Sequence, residues 1–535
     1  MKNSFYLVIP KQQNEPLRLK EFESRSLQQW LDDLPAANLS LATRLIHDFV
    51  MELNTLIMPS QLRLDVLEKI RPNVHVIEDY LQGRLIKTGF PKDDNEKKIF
   101  DVLISIEKEC AIGYWIVLKE ITHRDAGWFK GKNTALAIQR CIKKLGRIVT
   151  SHFIMRASLP DWVWIDLHSL YKLSVTTHQN APAVTKHFNQ FDKTQAAEMC
   201  YKQVILLYLA DPTGLMQKEI PKVYDFAGSI AALVSFKRVP VMNQNAQCLI
   251  LVDEDKPPYF QYDVDTNSDS STFYLDFTKL HKFLDEQERL PNKAETGLLN
   301  TMFSANKQTI KLPAELLNYL QQRWFGVELK GSALFIDRMD RYVAIGLSSA
   351  HDMKSPLNTD VRAMNTIEHE KTAQLSAQSA SDRLLAAVFN EPGVLSVGSL
   401  VSFRKQQEPE SNRSLGIVNK VNDVSQAGKI AFGVQLLADR FYTVICQHRH
   451  AAQNNAQQKG VFYSIKELSG EKSYVITDYF MFEDNDIVDL TVEQEDFPVT
   501  MKNRKNIGLG YWQFECQRII EHTKPVQPKK GYDFI

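Results

Sequence analysis

At 535 residues the chain is too long for one ordinary hydrophobic core and implies about two to four domains. Hydrophobic residues make up 44% and charged residues 24%, the composition of a soluble globular protein, and no run approaches the roughly 20 apolar residues of a membrane span. Lys plus Arg equal Asp plus Glu at 64 each, which excludes a global field that would recruit DNA or an anionic membrane; a nucleotide must be held by a local cluster.

The first residues, MKNSFYLVIPKQQNEP, hold a short apolar run broken by Pro10 and no small-residue cleavage pattern, so they read as a strand or extended arm rather than a secretory signal. The chain is expected in the cytoplasm. Cys110, Cys141, Cys200, Cys248, Cys446 and Cys516 form no CxxC pair, which fits reduced thiols used as small core residues and gives no zinc site.

From Ser26 the apolar residues take helical spacing: Leu39, Ile46, Phe49, Leu53 and Leu56, then Leu62, Val66 and Ile70, with Pro72 expected to end that helix. Further helices are expected over Glu96–Ile121, Asn133–Ile154, Trp162–Leu173, Thr194–Leu209 and Ile220–Phe236. Trp164, Leu167, His168 and Tyr171 reproduce the opening spacing of a tetratricopeptide helix, although no full repeat recurs. Residues 1–240 therefore read as an α-helical, repeat-like scaffold.

Residues 241–330 read as a middle α+β segment. Strands are expected at Cys248–Val252, Phe260–Val264 and Phe273–Phe277, with a polar turn at Asn267–Ser271, then helices near Leu275–Leu290 and Pro313–Phe325. Residues 331–450 read as a β-barrel interrupted by a flexible insertion, Lys354–Ala380, rich in Ser, Thr, Ala and Gln. Its clearest part is Val397–Leu437, where Leu400, Ser402 and Arg404 alternate with Val401 and Phe403, and Leu415–Val421 and Ile430–Leu436 repeat that period. After a polar loop, His448–Gly460, residues 451–535 read as a β-rich extension with strands at Val461–Ile465, Tyr474–Phe482, Ile487–Val492 and Gly510–Ile520.

The segments VGSLVSFR, LGIVNKV and FGVQLLA, with DRMDRYVAIGLSSAHDM upstream, resemble the PilZ-type barrels of large multidomain cyclic di-GMP receptors. The helical part, through LQQWLDDLPAANLSLATRLIHDFVMELN and ADPTGL, is similar to polar cyclic di-GMP-binding proteins linked to type IV pili. The resemblance implies a barrel that binds cyclic di-GMP and a setting in pilus, attachment or motility control. It also implies a protein partner for the helical region and recruitment to a cell pole or membrane complex.

Arg338 and Arg341 in DRMDRY are the leading ligand candidates, because guanidinium groups bond phosphate or a guanine edge in pairs and stack on bases. Their spacing is RxxR, one short of the family's RxxxR. Asp337 and Asp340 are placed to neutralise both, so a solvated charged turn is the competing reading. Asp423, Ser425 and Gly428 match the family's D/NxSxxG pattern but lie after the VGxLV strand, where a plain hairpin turn is expected. The motif's family position reads RLLAAVFNEPGVLSVG, with Asn390 and Gly393 in place and the serine absent.

His448 and His450 lack a third ligand, Asp484 and Asp486 read as a turn, and neither a GxSxG nor a Walker sequence occurs. The expectation is a multidomain α and β protein, a non-enzymatic receptor or adaptor with no cofactor, no metal and no DNA partner. The alternative is a helical scaffold whose barrel has lost the nucleotide.

Overall fold

The computed structural model describes residues 6–519 except 124–129, 181–194, 243, 245, 263–270, 289–297, 302–309, 355–373, 424–427, 450–456, 469, 479–480 and 493–494. The chain forms two compact units, residues 1–330 with Glu391–Val394, and residues 331–390 with 395–535.

In the first unit a short helix α1 (Pro16–Leu19) and α2 (Ser24–Asp32) lead into α3 (Leu39–Thr55), α4 (Ser60–Leu85), α5 (Asp94–His123), α6 (Lys130–Met155), α7 (Val163–Thr176), α8 (Ala197–Leu209) and α9 (Ile220–Ile230). Asn38 starts α3 by accepting from the Leu41 backbone N–H at 3.1 Å, which satisfies one of the orphan donors of the first turn. Ala42, Ile46, Val50 and Leu53 then form its buried stripe. Pro72 does not end a helix; it lies inside α4, with Ile70, Val74 and Ile77 buried on either side. Proline removes the N–H that would bond the Glu68 carbonyl. Apolar packing on both sides and the Glu68 carboxylate, bonded by Arg140 at 2.8 and 2.9 Å and by the Tyr114 hydroxyl at 2.9 Å, hold the helix through it.

The α+β residues 241–330 do not stand apart from the helices. Strands β1 (Ser235–Lys237), β2 (Ala246–Leu251), β3 (Tyr259–Tyr262) and β4 (Thr272–Asp276) pair antiparallel in the order β1-β4-β2-β3. Their Cys248, Ile250, Phe273 and Leu275 share one core with α5 to α9, joined by α10 (Thr278–Glu288) and α11 (Ala314–Trp324). The buried Trp324 indole donates to the Leu206 carbonyl at 3.0 Å. Phe236, expected in a helix, pairs instead with Leu275, because Ser235–Lys237 gains a ladder along β4. β5 (Leu298–Thr301) and β6 (Ile310–Pro313) pair separately. Most of the expected turn Asn267–Ser271 lies outside the described residues.

The second unit is two closed antiparallel barrels. The first runs β10-β11-β12-β9-β8-β7, from β7 (Arg341–Ile345), β8 (Leu375–Ser379), β9 (Leu384–Val388), β10 (Leu400–Lys405), β11 (Ser414–Asp423) and β12 (Lys429–Ala438). Val343, Val401, Phe403, Leu385, Phe432 and Val434 are buried inside it. The expected insertion is shorter than read: Leu375–Ser379 is a strand paired with both β7 and β9, since alternate Ala377 fills the interior. The centre of the insertion lies outside the described residues.

The second barrel runs β13-β14-β15-β18-β17-β16, from β13 (Tyr442–His448), β14 (Gln458–Glu467), β15 (Gly470–Thr477), β16 (Ile487–Val492), β17 (Glu495–Gly508) and β18 (Tyr511–Arg518). Its first strand thus precedes residue 451. The 14-residue β17 was not expected, since Pro498 and the polar run KNRKN hide its period. Leu400, Leu415 and Ile417 on the outer face of the first barrel pack with Val461, Tyr463 and Ile476 of the second and with Leu347 and Ala350 of α12 (Leu347–Lys354). At this junction Gly398 and Gly508 both have positive φ, and a Cβ on Gly508 would lie 2.7 Å from the Gly398 Cα.

Candidate functional site

The segment before β7 makes a tight turn over one end of the first barrel. Arg341, 4% exposed, shares the inner face with Val343 and closes that end. Its Nη2 donates to both Asp337 carboxylate oxygens at 2.8 and 2.9 Å, its Nη1 donates to the Met339 carbonyl, and its guanidinium lies 5.2 Å from the centre of the Phe335 ring. The Lys405 ammonium adds a contact to Asp337 at 3.2 Å. Burial alone would raise the Asp337 pKa, but the hydrogen bonds from Arg341, the Met339 backbone and Lys405 outweigh it and hold it at about 2.

Asp337 therefore neutralises one of the two sequence candidates, and Arg341 is a structural clamp in this geometry. Arg338 is different. It sits at φ 55°, a left-handed conformation uncommon for a residue with a Cβ, and is exposed. Among the described residues its guanidinium makes no hydrogen bond or ion pair. The clamp fixes the turn, and the turn presents Arg338.

The turn is pinned to the β8–β9 connection. The Phe335 N–H donates to the Asp382 carbonyl at 2.8 Å, the Ser379 hydroxyl donates to the Phe335 carbonyl at 3.4 Å, and Arg383 reaches the Gly331 carbonyl at 2.7 Å. This places Arg338, Arg341 and Arg383 at one end of the barrel.

Asp423 and Gly428 flank the β11–β12 turn at the other end. Asp423 pairs with Ile430 in the ladder, Gly428 has φ 73°, and its carbonyl accepts from the Phe389 N–H at 3.2 Å. Ser425 lies outside the described residues. The row Arg341, Ala377, Ala387, Ile430, Asp423 crosses four strand pairings, about 19 Å along the curved sheet. The structure thus brings Arg338 and Arg341 together, and Asp423 and Gly428 together, but not the two sets.

Reading the sequence for motifs passed over Arg404 and Arg413, which are 8% and 0% exposed beside the same end. Two arginines bracketing the polar loop QQEPESN were the available signal. The His448 Nε2 donates to the Met481 carbonyl at 3.0 Å and lies 3.5 Å from the Asp486 carboxylate. Asp486 accepts from the Glu483 backbone N–H and Asp484 from the Arg504 backbone N–H, so those acids order turns. Among the described residues, no three His, Cys, Asp or Glu side chains converge as metal ligands, and no helix is long and apolar enough to cross a membrane.

Fold and site together define a multidomain α and β protein whose helical region is followed by two closed barrels, one with an arginine turn at its end. Residues 25–241 match the family described as the N-terminal domain of the cyclic-di-GMP receptor FimW. FimW of Pseudomonas aeruginosa is 26% identical over 234 residues, which is 44% of this chain and 38% of FimW. The chain thus matches well under half the length of that curated relative. These matches support the cyclic di-GMP receptor family that the helical segments resemble. The solved structure of MrkH, described as a "novel c-di-GMP dependence transcription regulatory factor", aligns over 35% of this chain and 79% of its own at 8% identity and a TM-score of 0.15, too low to carry an argument.

Proposed function

We propose that this chain is a cyclic di-GMP receptor that signals without catalysis, through the helical region as the surface for a protein partner and the first barrel as a PilZ-like ligand module. The match of residues 25–241 to the receptor FimW's N-terminal domain carries the reading. The exposed, positioned Arg338 supports it at the level of chemistry, since a free guanidinium on a fixed turn suits a phosphodiester or guanine edge. In this reading Arg338 contacts the ligand and Arg341 holds the turn. Asp423, Ser425 and Gly428 are a second proposed contact set, of which Asp423 and Gly428 lie at the far end of the barrel. Control of type IV pili, attachment or motility from the cytoplasm, at a pole or membrane complex, completes the proposal.

Isothermal titration of the full chain with cyclic di-GMP tests it. Binding is expected, with Arg338→Ala weakening it at least about tenfold, as loss of a charged hydrogen-bonding group does. Loss of affinity in Asp423→Ala with none in Arg338→Ala would move the site to the other end. An absence of heat at high micromolar ligand would sink the receptor reading.

A further inference from the structure

Beside the Arg338 turn, on the outer face of β10 and β11, two more guanidinium groups meet. Ser402 and Leu415 are paired on that face, and Arg404 and Arg413 leave the two strands one residue beyond the last pair, Phe403 and Ser414. Arg413 is fully buried, and Arg404 lowers its proton affinity further after the loss of solvent itself. Like charges placed opposite one another across a ladder destabilise it unless something between them compensates.

What compensates here is mostly neutral. Arg413 donates to the Ser402 hydroxyl at 3.1 Å, the Ser402 carbonyl at 3.0 Å and the Gln374 side-chain carbonyl at 2.8 Å. Arg404 spends Nη1 on the carbonyls of Lys405, Gln406 and Glu408 at 3.3, 3.4 and 2.6 Å, and its plane packs 4.7 Å from the centre of the Tyr342 ring. These oxygens satisfy donors without cancelling two charges. Among the described residues the buried Nε of Arg404 has no partner, and Nη2 has only the Glu410 carboxylate, 62% exposed and 4.0 Å away.

The unfilled Nε–Nη2 edge is the side of a guanidinium that takes two oxygens of one oxyanion. Tyr342 and the three carbonyls fix its direction in advance. The Gln406 N–H donates to the Asp340 carbonyl at 3.3 Å, so the loop whose carbonyls hold Arg404 borders the turn that presents Arg338.

We propose that Arg404, backed by Arg413, forms a phosphate subsite next to Arg338, and that Glu410 stands in for the phosphate when the ligand is absent. Resting on the receptor reading above, it assigns one phosphate of a cyclic dinucleotide to Arg404 and leaves Arg338 for the other phosphate or a base. The exposed Glu410 side chain must swing off Nη2 for the ligand to enter, while the loop backbone keeps its hold on Nη1, so the carboxylate acts as a built-in competitor.

Two measurements on the full chain test this: titration with cyclic di-GMP, and thermal unfolding with inorganic phosphate against chloride at equal ionic strength. Glu410→Gln, at an exposed side chain, should tighten cyclic di-GMP about twofold to fivefold, the range of a partly exposed ion pair. Arg404→Lys keeps the charge but loses the two-toothed edge and should weaken binding about tenfold or more. Phosphate should raise the melting temperature of the wild type, more so in Glu410→Gln and not in Arg404→Lys. Cyclic di-GMP binding unchanged in both variants would overturn the subsite and leave the receptor reading intact. Phosphate stabilisation with this pattern and no cyclic di-GMP binding would keep the anion site, filled by free phosphate, and overturn its assignment to a cyclic dinucleotide. No response of any variant to either ligand would overturn both.

Discussion

Arg338 and Arg341 are three residues apart in sequence and do opposite work. Arg341 is almost fully covered and bonded on both η nitrogens, whereas Arg338 projects from a left-handed turn that those bonds hold in place. Arg341→Ala should therefore lower stability by about 1–3 kcal/mol, the cost of leaving a partly buried charged partner unmade. Arg338→Ala should change it by no more than about 0.5 kcal/mol. Thermal unfolding of both variants reads the contrast, and equal losses would refute the division of labour. Because Asp337 is held below its ordinary pKa, its share of this stability is present above about pH 4 and is lost as pH falls through its folded value of about 2. The penalty of Arg341→Ala should shrink on acidification below pH 4, and with Asp337 still 30% exposed that pH-dependent share is small, about 1 kcal/mol or less. The two arginines were legible in the sequence as a charged turn before a strand. Which one was neutralised was not, because that depends on Asp337 rather than Asp340 reaching back over the turn.

At the scale of the element, the packed helices α4, α5 and α6 carry a charge cluster that the apolar period could not reveal. Lys144 bonds Glu78 and also reaches Glu107 at 3.0 Å, while Arg147 donates to His75 at 2.9 Å and to Asp79 at 3.3 Å. Burial and the neighbouring Glu78 carboxylate push Glu107 well above the usual carboxylate range, against the pull of Lys144 and Arg147. A carboxyl that keeps its proton when folded but loses it when unfolded weakens the fold as pH rises from about 4.3 toward its raised folded value. Glu107→Gln should thus gain on the wild type between pH 5 and pH 8, by about 1 kcal/mol or more at the upper end. A urea midpoint difference that stays flat across that range would disprove it. Element boundaries elsewhere followed the same division. Helices with long apolar stripes were readable, but Pro72 inside α4 and the polar strand β17 were not, since tertiary partners rather than local preference sustain both.

Within the second unit, Gly398 and Gly508 bring two barrel backbones into direct contact. Gly508→Ala must both strain a positive φ of 144° and displace the Gly398 backbone. Gly470, with φ 129° and open space around it, isolates the first effect. Gly508→Ala is expected to cost at least about 1 kcal/mol more than Gly470→Ala, as overpacking does. Equal melting temperatures for the two variants would mean the junction yields freely.

Closure of the barrels has its own consequence. Every one of their twelve strands has a neighbour on both sides, so neither six-stranded barrel can accept a seventh strand from another molecule. Among the described residues the open sheet edges that a peptide could extend belong to the first unit, in the β5–β6 pair and in the four-stranded sheet, whose outer strand Tyr259–Tyr262 has both tyrosines exposed. Whatever meets the barrels has to recognise side chains, and a change of one charge on their surface can gain or lose that partner without disturbing a single ladder bond.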